Sequence, residues 1–187
     1  MIHITKALKI LLVADSFVLV SGAMIIPFYA TYVSKIGGDI LEAGFAAGMF
    51  AVSAGIMTLF AGRISDRFDR KERIVAASYF VIAIGFLLYI LVDSLLGLVA
   101  VQVLIGLAQA SYTPAFDALY TKHLGDRKKA STAWSLWESI NYFSLAIGAL
   151  VGATLLHFTS FNVLFIVMSA LCISSSVYLF TIRKNRL

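Results

Sequence analysis

Six apolar runs alternate along the chain with short polar connections. They cover roughly residues 8–33, 40–61, 74–92, 95–120, 130–157 and 161–182. A hydrocarbon core is crossed by ~20 residues of helix, so each run is long enough to span. The pattern predicts an all-α membrane protein with six transmembrane helices. Because the connections are short, it also predicts one six-helix domain over residues 1–187, with no linker.

Helical periodicity then sorts the segments by face. In segment 4, Gln102, Gly106, Gln109, Thr113, Asp117 and Tyr120 recur every three or four residues. A polar stripe of that length does not face lipid. It faces either other helices or a water-filled cavity, and the unpaired acid in it favours the cavity. Segment 1 places Asp15, Gly22, Ile26 and Tyr29 on one face. Segment 5 does the same with Ser131, Trp134, Ser135, Glu138, Asn141 and Tyr142. Glu138 lies eight residues into its helix, about 12 Å along the axis. Trp134 and Trp137 read as aromatics of the membrane interface.

Segment 2 carries a smooth face of Gly44, Ala47, Gly48, Ala51, Gly55, Thr58 and Gly62, and segment 5 adds Ser144, Gly148 and Gly152. Small faces let helix backbones approach closely. They serve either packing within the chain or contact with a second subunit; Gly44, Gly48, Ala51, Gly55, Gly148 and Gly152 are the candidate subunit contacts. Segment 3 is apolar all round except Ser78 and Gly85, which predicts a lipid-facing helix. In segment 6, Ser169, Cys172 and Ser176 mark an inward edge, with Cys172 as a small packing residue.

Composition agrees with this reading. The chain is 60% hydrophobic and only 13% charged, against roughly 25% charged in soluble domains. One cysteine leaves no disulfide framework. The net charge of +5 does not imply nucleic acid, because the basic residues sit in short loops of one side. Fourteen of the fifteen lie before segment 1, between 2 and 3, between 4 and 5, or after 6; only Lys35 lies opposite. The positive-inside rule therefore places both termini in the cytoplasm, in a cytoplasmic (inner) membrane. Asp15 interrupts the first run and no small-residue cleavage site follows, so that run reads as a retained helix, not a signal peptide. Gly38-Asp39 before segment 2 and Gly125-Asp126 before segment 5 form a faint echo of the kind inverted repeats produce. No HExxH, GxSxG, Walker loop or metal-spaced Cys/His set is present. The expectation is a non-enzyme without cofactor or metal.

The connection between segments 2 and 3 is Gly62-Arg63-Ile64-Ser65-Asp66-Arg67-Phe68-Asp69-Arg70-Lys71. Its pattern, Gly-x-x-x-Asp-Arg-x-x-Arg-Lys, resembles the loop between helices 2 and 3 of the major facilitator superfamily of transporters. Asp69 stands where that family usually has Gly. Gly22 and Pro27 resemble the Gly…Pro feature of the family's first helix. The resemblance covers nearly the whole chain but only half of a typical twelve-helix member. It implies the N-terminal six-helix half, built from two inverted three-helix repeats. Two features depart from proton-coupled and drug-exporting members: Gln102 replaces an Arg at the start of the segment-4 motif, and Ala149 follows Gly148 where a Gly-Pro pair is usual.

The resemblance implies a function: helices 1 and 4 line a central cavity, 2 and 5 join the halves, and 3 and 6 face lipid. The stripes found by periodicity have the same distribution. The expected protein is a secondary active transporter of a small molecule working by alternating access, with or without coupling to protons or cations, in which two parallel copies form a homodimer. The candidate cavity residues are Asp15, Tyr29, Gln102, Gln109, Thr113, Asp117, Glu138 and Asn141. No Lys or Arg lies deep in any segment, so Asp15, Asp117 and Glu138 lack an evident cationic partner. Asp15 is the first candidate for coupling; Glu138 could instead hydrogen-bond across the subunit contact. Gly62, Asp66, Arg67, Arg70 and Lys71 form the conformational motif, with Asp66 set against the N-terminus of the partner's helix 5. The bilayer is the other expected partner. The rival readings are a non-transporting assembly or sensing module, and half of a heterodimer or of a longer transporter.

Overall fold

The computed structural model describes residues 5–124 and 130–181. Gly125 to Lys129, with the Gly125-Asp126 echo and three of the loop basic residues, lie outside the described residues. So do residues 182–187, with Arg183, Lys184 and Arg186.

The described chain forms helices α1 (Lys6–Ala23), α2 (Tyr29–Lys35), α3 (Ile40–Asp66), α4 (Lys71–Leu88), α5 (Leu95–Lys122), α6 (Ala130–Phe158) and α7 (Phe161–Thr181). α1 and α2 belong to one apolar span that is broken between them. Pro27 cannot donate a backbone hydrogen bond, and the chain passes through a short 3-10 turn, Ile26–Phe28. Six spans of membrane length result, as the apolar runs predict. Polar caps set several of their starts. Thr5 accepts from the Leu8 amide, Ser94 from the Gly97 amide, and Asp39 and Glu42 form a reciprocal capping box.

The packing order carries an internal symmetry. α3 lies on α5 and α6 on α1; α4 lies on α5 and α7 on α1; α4 and α7 lie on each other. Exchanging the first three spans for the last three leaves that set of principal contacts unchanged. Corresponding spans cross in opposite directions, so the relation is that of two inverted three-helix repeats. Serine hydroxyls stitch α7 in place: Ser21 donates to the Met168 carbonyl (2.9 Å), Ser175 to that of Ala14 (2.6 Å) and Ser176 to that of Ala76 (2.7 Å). Cys172 is buried here, beside the Ser21 hydroxyl.

The structure corrects two sequence expectations. α4 does not simply face lipid. Phe80, Ile84 and Leu87 point outward, but Tyr79, Ile82, Ala83 and Phe86 are buried. Gly148 and Gly152 are not subunit contacts. A Cβ on Gly148 would strike the Val20 carbonyl and Ala23, and one on Gly152 would strike the Met24 carbonyl, at the break after α1. The close approach is internal, between α6 and α1. By contrast, Gly44, Gly48 and Gly55 have open space around the equivalent position.

These glycines predict opposite outcomes. Gly152→Leu drives a side chain into backbone that cannot yield. It should destabilise the folded chain by about 1–3 kcal/mol or more, seen as a lower unfolding temperature in detergent. Gly55→Ala should leave that temperature nearly unchanged.

Candidate functional site

α1 and α5 touch little; behind them α4 packs on α5 and α7 on α1. The space between them is a groove of about 680 Å³, with α3 and α6 at its rims. α1 contributes Val18, Gly22 and Ala23, followed by Ile26 and Tyr29; α5 contributes Gln102, Ile105, Gln109 and Tyr112. Ile82, Phe86 and Tyr89 form the back, Phe50 lines one rim, and Trp137, Glu138, Asn141 and Tyr142 line the other. The wall is largely aromatic and aliphatic, with a few polar groups set into it, as small-molecule sites are. Among the described residues, its only charged side chain is Glu138. The Tyr29 hydroxyl is buried without a hydrogen-bond partner among the described residues, although Gln102 is its neighbour.

Five of the eight sequence-predicted cavity residues thus meet on one wall: Tyr29, Gln102, Gln109, Glu138 and Asn141. Thr113 and Asp117 do not line it; the Thr113 hydroxyl is spent on the Gln109 carbonyl (3.0 Å). The stripe of α5 splits because its levels meet different neighbours. Gly106 is pressed against Phe50 and Ser53 of α3, and Tyr120 donates to the Ala133 carbonyl of α6.

Asp15 is neither unpaired nor open to the groove. It is 2% exposed. Its carboxyl group accepts one hydrogen bond from the Tyr79 hydroxyl (2.7 Å) and one from the Trp137 indole (3.1 Å). The bonds join α1 to α4 and α6, and Tyr112 packs edge-on against Tyr79 (5.0 Å between ring centres). Trp137 and Tyr112 are themselves groove wall, so Asp15 stands one side chain behind it. Trp137 is therefore no interface anchor. Sequence reasoning also passed over Tyr79, because an aromatic within an apolar run reads as apolar although its hydroxyl is not. The signal for Trp137 was its place one turn before Asn141.

At the basic end, α3 closes with Asp66 and α4 opens with Lys71. The Lys71 ammonium donates to the Ser65 carbonyl (2.7 Å) and lies 3.5 Å from the Asp66 carboxylate. Arg70 pairs with Glu72 at 2.8 Å. The Asp66 side chain is 83% exposed. Arg67 caps α3 and is exposed; Gly62 has open space beside it. Hence Arg70 and Lys71 hold the turn, while Asp66 keeps most of its hydrogen-bonding capacity free.

α3 and α6 are the least enclosed spans: 17% of the most apolar stretch of each is buried, against 44–56% in the other four. α3 exposes Gly44, Gly48, Ala51 and Gly55; α6 exposes Phe143 (70%), Ile147 and Leu150 (70%). A smooth strip and a strip of large side chains therefore flank one groove.

A family model described as "Major Facilitator Superfamily" matches residues 11–186. The uncharacterized MFS-type transporter YitZ of Bacillus subtilis (strain 168) is 29% identical over 154 residues, 81% of this chain and 91% of that protein. The proton-coupled antiporter flippase LtaA of Staphylococcus saprophyticus is 29% identical over 153 residues, 76% of this chain and 37% of that protein. A Na(+), Li(+), K(+)/H(+) antiporter of Planococcus maritimus is 30% identical over 171 residues, 85% of this chain and 38% of that protein. The chain thus spans under two-fifths of the two antiporters but nine-tenths of YitZ.

Proposed function

The chain belongs to the major facilitator superfamily and is an integral membrane protein; from that premise we propose that it is a secondary active transporter working by alternating access as a parallel homodimer. Each copy is a six-helix domain that supplies half of the substrate site. The observation that carries the reading is the groove flanked by the two least enclosed helices. A wall with Gln102, Gln109, Glu138 and Asn141 is costly to leave against lipid. A second copy, related by a two-fold axis along the membrane normal, covers it and brings α3 of each chain against α6 of the other. The membrane is the cytoplasmic one, with both termini on the cytoplasmic side, from the distribution of basic residues. The direct test is flux into proteoliposomes across a substrate panel. Concentrative or counterflow uptake supports the proposal, whereas a protein that moves nothing acts as a passive module.

In this reading Asp66 sets the conformational equilibrium and does not touch substrate. Its exposed carboxylate meets the N-terminus of the partner's α6, around residues 130–132, when the cytoplasmic side is closed. Such a contact is worth ~0.3–2 kcal/mol, a factor of roughly two to thirty in a two-state balance. Asp66→Asn should therefore raise cytoplasmic labelling of Thr113→Cys in a background lacking Cys172. Equal labelling with and without Asp66 would reduce the loop to a topological anchor.

A further inference from the structure

We propose that the groove selects amphipathic organic cations, gripped by Glu138 and by the face of Trp137; this rests on the transport reading and names the substrate class for the same site. Glu138 is the only charged group on the wall, and no Lys or Arg lines the groove among the described residues. The nearest second acid, Asp15, sits directly behind Trp137. Among the described residues, an anion entering the groove meets no cation and one acid, with Asp15 behind the wall. A cation meets a carboxyl group that no basic side chain among the described residues neutralises.

The body of the ligand follows from the rest of the wall. Trp137, Phe86, Tyr89, Tyr112 and Phe50 give rings and apolar surface on the wall. Aromatic faces attract cations, Trp most strongly. Here the indole N–H donates to Asp15, which pulls electron density toward the ring and fixes its orientation. Asp15 is thus a positioning residue: it acts on the ligand through Trp137. Small inorganic cations gain little from such a wall, since they need several oxygen ligands. A quaternary or protonated amine, or a phosphonium, on an apolar body uses both features.

Tetraphenylphosphonium and tetraphenylborate test this, because they share size and apolar surface and differ in the sign of charge. Each is titrated alone into purified protein carrying Trp134→Phe, so that Trp137 is the only tryptophan. Tetraphenylphosphonium should quench Trp137 saturably and tetraphenylborate should not. Glu138→Gln should weaken the phosphonium about tenfold, while Glu138→Asp keeps most of the affinity. Equal binding of both ions, or unchanged affinity in Glu138→Gln, overturns the proposal. If Trp134→Phe fails to fold, the same comparison of the two ions is made on the native chain. The measurement needs no gradient. A protein that binds the cation but moves nothing loses the transport reading alone; one that transports another substrate without charge preference loses this inference alone.

Discussion

Asp15→Asn should leave the chain folded and abolish accumulation of substrate against a gradient. The expectation follows from what the amide can and cannot replace. Its oxygen accepts from the Trp137 indole as the carboxylate does, and its NH2 donates to the Tyr79 oxygen once that hydroxyl turns. Both bonds across α1, α4 and α6 survive, so the unfolding temperature should change little. What is lost is the ability to take up and release a proton. A proton taken up there would add a donor where Tyr79 and Trp137 already donate, which weakens the bond to the protonated oxygen. Trp137 and Tyr112 are groove wall, and under the proposed coupling the proton state of Asp15 would be linked through them to the shape of the site. Asp15→Leu is the contrasting variant: it strands the buried Tyr79 hydroxyl, at about 1–3 kcal/mol, and leaves the half-buried Trp137 indole N–H without its acceptor, so it should destabilise the fold itself. If Asp15→Asn still concentrates substrate, coupling lies elsewhere or the protein is a uniporter.

Gly48→Leu should turn a dimer into a folded monomer. Open space surrounds a Cβ at Gly48, so within one chain the added side chain meets nothing. In the proposed assembly the same strip receives Phe143, Ile147 and Leu150 of the partner's α6. Overfilling a packed contact costs about 1–3 kcal/mol, roughly tenfold to a hundredfold in dissociation constant. The outcome differs from that of Gly152→Leu, which damages the monomer. Loss of folding in Gly48→Leu, or an unchanged dimer, would remove α3 from the contact.

The two glycine sets also mark where sequence reading reaches its limit. Apolar runs made the six spans legible, since only chain-internal hydrogen bonding survives in hydrocarbon. The paired face of α7 was legible from Ser169, Cys172 and Ser176. A small-residue face, however, states that a backbone comes close and not whose backbone it is. Gly48 and Gly148 read alike; three-dimensional packing alone puts one outside and the other against α1. Periodicity likewise assigns a residue to a face without saying what lies beyond it. Asp15 and Glu138 both read as cavity acids, yet only Glu138 reaches the groove. The difference is Tyr79 and Trp137, drawn from two segments whose aromatic character concealed their polar ends. The segment-4 stripe was real as a face, but the neighbours at Gly106 and Tyr120 take parts of it for packing.

The central claim is that two copies of this chain enclose one groove. The number of chains per particle, measured by light scattering on protein purified in mild detergent and again in lipid nanodiscs, tests it most directly. The account predicts two native chains in both, and one for Gly48→Leu. A stable, transport-competent single chain, or activity that appears only when a different half is supplied, would contradict it.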